Sequence, residues 1–268
     1  MFLDYCKIIK QDNSTFIAYA PAKLNINLLI GEKDETGMHK ITSTMQAISL
    51  HDTVTLSLSK SHGSGMSGFM VKNNIISKAL AILQEHVGKS LKCSIRVDKS
   101  IPIGAGMGGG SSDAAAALRL ANAAFDLGLK IAELEQIASK VGNDVAFLLH
   151  AGRARVEGSF EHNIIDIESP KMHYIVARPN MELSTKQMYE MHDKTGKSFL
   201  ELACELCPDT KRLLADLSKT APLEYGITGK GPTVFAGYGS YLDCLMAIDN
   251  IAWFDQEIFL EHSIGRLE

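Results

Sequence analysis

At 268 residues, with 46% hydrophobic and 22% charged side chains, the chain is long enough to bury one large core or two modest ones. A net charge of −4 gives no electrostatic case for nucleic acid or a membrane surface as partner. The opening MFLDYCKIIKQDNS is too polar for a secretory signal, no apolar run approaches membrane-spanning length, and five scattered cysteines make no disulfide framework, so an intracellular, cytoplasmic location is expected.

In chain order, Leu24, Ile26, Leu28 and Ile30 keep a period of two, with Lys23, Asn25 and Asn27 on the opposite face of a strand. Lys23 and Asn25 are then either a solvated strand face or two polar groups presented to a site. Val54, Leu56 and Leu58 repeat the alternation after a polar bend expected at His51 and Asp52. A helix from about Asn74 to Val87 carries Ile75, Ile76, Ala79, Leu80 and Leu83 on its apolar face and stops at Gly88. Leu91, Cys93, Ile95 and Val97 alternate with Lys92, Ser94, Arg96 and Asp98 in a further strand.

That strand leads into IPIGAGMGGGSSDAAAALRLANAAF, where five of the seven residues Gly104–Gly110 are glycine and an alanine-rich helix follows. Backbone N–H groups free of side chains can wrap a polyanion, and the helix aims its positive end at the same place. Ser111 and Ser112 at the junction can cap the helix and offer hydroxyls to a phosphate or its metal. No Gly-Lys-Ser/Thr follows, so the loop is not of the Walker type, and its spacing is not that of a dinucleotide fold. A flexible linker is disfavoured because the helix runs on to a glycine stop expected at Gly128.

IAELEQIASKVG continues as a helix with Ile131, Leu134, Ile137, Ala138 and Val141 inward. Asp144, just after Gly142, is either the N-cap of a short helix through Val145–His150 or a functional carboxylate. A second half starts afresh near Ser159–Ile167. Its strand Tyr174–Ala177 is expected to stop at Arg178-Pro179, and helical patterns fill Ser184–Leu217. Cys204 and Cys207 form a lone Cys-x-x-Cys on one of these helices, without the second ligand pair a metal needs. A second glycine segment, GITGKGPTVFAGYG, precedes a final helix and strand. The order of elements gives an α+β architecture of two lobes, 1–158 and 159–268.

Four segments, AKLNINLLIGEKDETGMHKI, IPIGAGMGGGSSDAAAAL, GNDVAFLLHAGRARVEG and ITGKGPTVF, occur in the order found in GHMP-family small-molecule kinases. The chain resembles that family from about Tyr19 to Phe235. Its Pro-Ala-Lys-Leu-Asn opening, its Gly-x-His triplet and its doubled glycines before Ser-Ser are similar to the branch acting on a cytidine-diphosphate-linked methylerythritol. The resemblance implies two lobes with the active site in the cleft between them. It implies transfer of the γ-phosphoryl of ATP, accompanied by Mg²⁺, to the 2-hydroxyl of that acceptor. Asp144 would take the hydroxyl proton, with Lys23 stabilising the developing alkoxide.

Carried over residue by residue, Pro102, Gly104, Gly106, Gly108, Gly109, Gly110, Ser111 and Ser112 would hold the triphosphate, with Ser111 or Ser112 near the metal. Asn74 and Lys99 match positions lining the adenine pocket. Asn25, His39 and Thr185 match groups that hold the acceptor, and Tyr189 with Met38 would grip its cytosine. Three positions depart from the family's pattern: Met38 where a tyrosine is usual, Asn143 where alanine is common, and Lys230 inside the third glycine motif in place of a small residue. Another GHMP acceptor is the alternative. A catalytically silent relative would be expected to lack Lys23, Asp144 or the glycine loop, and this chain has all three.

Overall fold

A computed structural model describes residues 4–5, 7–58, 74–158, 163–168, 170–251 and 256–267. The first sheet contains β1 (Ile9–Lys10), β2 (Thr15–Lys33), β3 (His39–Leu58), β4 (Cys93–Asp98), β5 (Arg153–Gly158) and β6 (Asn163–Asp166). Its order is β1-β2-β3-β5-β6, with β4 also paired to β3, and every pairing is antiparallel. β3 is long enough to serve two neighbours on one edge, β5 along Ile41–Gln46 and β4 along Thr53–Leu58. The bend expected at His51 and Asp52 is not a break between strands. β3 runs straight through, and the ladder instead shifts register opposite Pro21/Ala22, where proline has no N–H to contribute.

Four helices follow in the same half, α1 (Ile75–Val87), α2 (Gly109–Ala124), α3 (Ile131–Val141) and α4 (Asn143–His150), with α2 and α4 against the sheet and α1 and α3 packed on them. α1 has the boundaries its pattern predicts, with the Asn74 side chain accepting from Ile76 N–H at 3.0 Å and Gly88 closing it in the left-handed region. α2 is buried nearly all round, Ala114–Ala117, Leu118, Leu120 and Ala121 all lying in the core. Small side chains let it thread between α1, α4 and β2. It ends at Phe125 rather than Gly128, because the Asn122 side chain turns the chain by bonding both the N–H and the C=O of Leu129 at 3.0 Å.

The second sheet has the order β10-β7-β9-β8, from β7 (His173–Pro179), β8 (Glu224–Ile227), β9 (Val234–Tyr238) and β10 (Gln256–His262). β7 continues through Arg178-Pro179 instead of stopping there. Past Ala177 only β10 flanks it, so the missing proline N–H breaks no second ladder. Helices α5 (Thr185–Thr195), α6 (Phe199–Leu206), α7 (Pro208–Ser218) and α8 (Tyr241–Ile248) complete the C-terminal half. Residue 158 is the last of β5, β6 follows in the same first sheet, and the chain reaches the second sheet only at β7. Of the stretch Ser159–Ile167, where a fresh start is expected, 159–162 lie outside the described residues and Asn163–Asp166 form β6 of the first sheet. Cys204 and Cys207 are free thiols on α6 and at its end. No helix among the described residues is long and apolar enough to cross a membrane.

Candidate active site

Lys23 and Asn25 are 4% and 2% exposed, which removes the solvated-face alternative. Two polar groups this deep must be satisfied, and they are. The Asn25 carbonyl oxygen accepts from Lys23 Nζ and from Gly229 N–H, the latter at 2.9 Å. Its amide donates to Ser43 Oγ at 2.7 Å, and its backbone N–H donates to Thr228 Oγ1 at 3.1 Å. Thr228 Oγ1 donates in turn to Gly106 C=O at 3.1 Å. Strand β2, the first glycine loop and the loop at Thr228–Gly231 are thereby bonded into one assembly.

Lys23 Nζ lies 3.6 Å from Asp144 Oδ2. Asp144 is the second residue of α4; Gly142 stands at the N-cap position, and no side chain caps that end. The capping alternative therefore fails, and the carboxylate, about a third exposed, turns toward the lysine.

Gly104, Gly106 and Gly108 all have positive φ. At Gly106 a Cβ would stand 2.4 Å from Thr228 O, and at Gly108 it would press on Lys23 Cγ at 3.0 Å. Both positions require glycine, for backbone conformation and for close approach. Gly108 is also the residue that turns the chain into α2, so Ser111 and Ser112 lie inside its first turn and do not cap it. Ser112 is buried and donates its hydroxyl to Pro21 C=O at 2.7 Å, a structural use. Ser111 stays partly exposed beside the loop.

Lys99 does not reach into an open pocket. Its Nζ donates to Asp52 at 2.5 Å and to Asp113 at 2.8 Å, beneath Gly109. Asp52, fully buried, also accepts from the N–H groups of Ser100 and Ile101 at 2.6 and 2.8 Å, fixing the chain just before Pro102 and the loop. Burial works against the Lys99 charge, but the bonds to Asp113 and Asp52 outweigh it and hold its pKa up. Burial raises the Asp113 carboxyl to about 7, against the opposing pull of Lys99. The folded protein thus holds that proton more tightly than the unfolded chain. Stability should fall as pH rises from about 4 through about 7. Asp113→Asn is expected to flatten the melting-temperature profile over that window, and parallel wild-type and variant curves would show that Asp113 titrates normally.

Asn74 is spent on capping α1 and borders a second cavity with Ile75, Ser77, Lys78 and Val141, at the N-terminal end of α1, where the Ile75 side chain also lies against Gly110 of α2. On the other side of the glycine loop is a cleft of about 270 Å³ whose lining includes Lys23, Asn25, Asp144, Thr185, Tyr189 and Lys230. Asn143 lines it too. Thr185 and Tyr189 share a face of α5, one turn apart. Burial, assisted by the charge of Asp144, raises the pKa of the Tyr189 hydroxyl.

His39 stacks on Tyr189 with ring centroids 5.5 Å apart, and its ring nitrogens face Gly31 O and Asp193 Oδ1, each at 2.8 Å. Asp193 also takes Lys33 Nζ at 2.6 Å, which ties the β2–β3 hairpin to α5. Met38 sits at the hairpin tip, its N–H on Asp34 Oδ1, with its side chain about half exposed, and the ring parallel to Tyr189 is that of His39. Thr228, Asp52, Asp113 and Asp193 are functional neighbours that no local pattern announces. The threonine ahead of the Gly-Lys-Gly run was the nearest signal.

The model of the GHMP kinase N-terminal domain matches residues 74–152, from the cap of α1 past Asp144. A 4-diphosphocytidyl-2-C-methyl-D-erythritol kinase from Chlamydia muridarum is 35% identical over 84% of this chain and 86% of its own length. One from Caldicellulosiruptor bescii is 30% identical over 90% and 96%. Among solved structures, a 4-(cytidine 5'-diphospho)-2C-methyl-D-erythritol kinase matches with a TM-score of 0.75 at 22% identity, covering 93% of this chain and 100% of that one. Homoserine kinase from Cytophaga hutchinsonii matches with a TM-score of 0.74 at 16% identity over 98% of both chains. The two structural matches speak for the shared fold alone. The sequence relatives, similar across nearly their whole length, decide the narrower question: the chain belongs to the 4-diphosphocytidyl-2-C-methyl-D-erythritol kinase family of the GHMP kinases.

Proposed function

We propose that the protein transfers the γ-phosphoryl group of ATP to the 2-hydroxyl of 4-diphosphocytidyl-2-C-methyl-D-erythritol. The observation that carries this reading is the buried Lys23 beside Asp144, at the end of a glycine loop, in a cleft that also contains Thr185 and Tyr189. The loop and the N-terminus of α2 suit the triphosphate, and the cavity beside Asn74 suits the nucleoside end of ATP. The acceptor hydroxyl lies against Asp144, which takes its proton as the oxygen attacks the γ-phosphorus. The bond from that phosphorus to the β-phosphate oxygen breaks, and ADP leaves. Lys23 stabilises the negative charge on the attacking oxygen; Asn25 ties its Nζ to the second glycine loop, and the Lys23 backbone N–H donates to Met107 C=O in the first.

Mg²⁺ would accompany ATP and neutralise charge on its phosphates. Ser111, partly exposed in the first turn of α2, is the hydroxyl that suits it, whereas that of Ser112 is committed to Pro21. The test of the reaction is ADP release with the cytidine-linked acceptor, free methylerythritol phosphate and homoserine compared side by side. Turnover confined to the first supports the proposal, and a preference for homoserine overturns it.

Tyr189 is the aromatic platform for cytosine in this reading. Stacking of a base on an aromatic ring is worth about 1–3 kcal/mol, so Tyr189→Ala should weaken acceptor binding roughly 5–150-fold. ATP affinity should stay unchanged, since the adenine lies beyond the glycine loop. Calorimetric titration of each ligand separates the outcomes, and equal losses for both would reduce Tyr189 to a packing residue.

A further inference from the structure

We infer that Lys230, one of the residues departing from the family's pattern, binds the diphosphate of the acceptor and thereby helps select it. This inference rests on the function proposed above. Lys230 stands between Gly229 and Gly231, both with positive φ, in a loop whose backbone is fixed on every side. Gly229 N–H donates to Asn25, Gly231 N–H donates to Thr228 C=O at 3.0 Å, and the Thr228 hydroxyl donates to Gly106 C=O. From this rigid base the side chain reaches the first residue of α5, donating to Thr185 Oγ1 at 2.7 Å.

Its charge has no counter-ion in place. Among the described residues no carboxylate forms an ion pair with Lys230; burial lowers its pKa, and Glu182 opposes that only from longer range. A partly desolvated ammonium whose hydrogen-bond partner is a neutral hydroxyl is a site for an arriving anion.

Position selects which anion. Thr185 is one helical turn from Tyr189, the platform for the base. Gly229, next to Lys230, is bonded to the same Asn25 oxygen that receives Lys23 Nζ, at the reacting end. Lys230 therefore lies between the base end and the phosphoryl-transfer end of one cleft. In the acceptor, the group between the cytidine and the methylerythritol is the diphosphate. A small residue in this position cannot make the contact.

The test uses the full chain with Lys230→Met, which keeps most of the apolar stem, and Lys230→Arg, which keeps the charge. A charge-assisted contact of this kind predicts a rise in acceptor KM of about 10–100-fold in Lys230→Met, with ATP KM nearly constant and partial recovery in Lys230→Arg. Calorimetry with cytidine diphosphate and with cytidine reads the contact without turnover. The wild type should favour the diphosphate, and Lys230→Met should erase that preference while leaving cytidine binding unchanged. Loss on the ATP side, or equal weakening of cytidine and cytidine diphosphate, overturns the assignment. A wild-type protein that does not phosphorylate the cytidine-linked acceptor would instead overturn the proposed function, and the cytidine comparison would still report on Lys230.

Discussion

Asp144→Asn should lower the rate of phosphoryl transfer by about 10²–10⁴-fold while leaving the fold and ATP binding intact. The amide keeps the shape of the side chain but cannot take the hydroxyl proton. Asp144 makes no capping bond at the start of α4, and its side chain is about one-third exposed, so little folding energy depends on its charge. Single-turnover phosphoryl transfer and a thermal melt on the same sample separate the two roles. Near-normal turnover with an unchanged melting temperature would remove Asp144 from the mechanism.

Lys23→Met should be as damaging to turnover, by about 10²–10³-fold, because it removes the cation that meets charge developing in the transition state. It should also be less benign structurally. Lys23 is buried, its Nζ donates to Asn25, and its stem packs beneath Gly108. Loss of the ammonium leaves the Asn25 oxygen with Gly229 N–H as its remaining donor, so a modest fall in melting temperature accompanies the loss of rate. ATP affinity measured by calorimetry should change little, since the triphosphate is held by loop backbone. A large loss of ATP affinity with unchanged turnover at saturation would place Lys23 on the donor phosphates and not at the reacting oxygen.

Much of this site was legible in the chain because its chemistry is local. The glycine run and the helix behind it, the Lys23/Asn25 pair and Asp144 after Gly142 each sit in a short segment whose spacing carries its own physical meaning. What could not be read depended on partners far away in sequence. Whether Lys23 and Asn25 faced solvent was decided by Thr228 and Gly229, some two hundred residues on, closing over them. The resemblance assigns Lys99 to the adenine pocket, but Asp52 and Asp113 capture it, and Asp52 lies on a strand where the polar pair His51-Asp52 suggests a bend. The serines of α2 looked like caps because serine favours that place, yet the left-handed turn at Gly108 starts the helix earlier and leaves them inside it. The stacking of His39 on Tyr189, beside a half-exposed Met38 at the hairpin tip, likewise depends on the hairpin meeting α5, a contact between distant segments.

The central claim is that this cleft phosphorylates one hydroxyl of one acceptor, and phosphorus NMR of the product tests it most directly. After incubation with ATP and 4-diphosphocytidyl-2-C-methyl-D-erythritol, the account predicts one new phosphomonoester resonance, assigned to the 2-position, an intact diphosphate, and ADP in equal amount. Release of ADP without a new ester, a phosphate on another hydroxyl, or cleavage of the acceptor's diphosphate would contradict it.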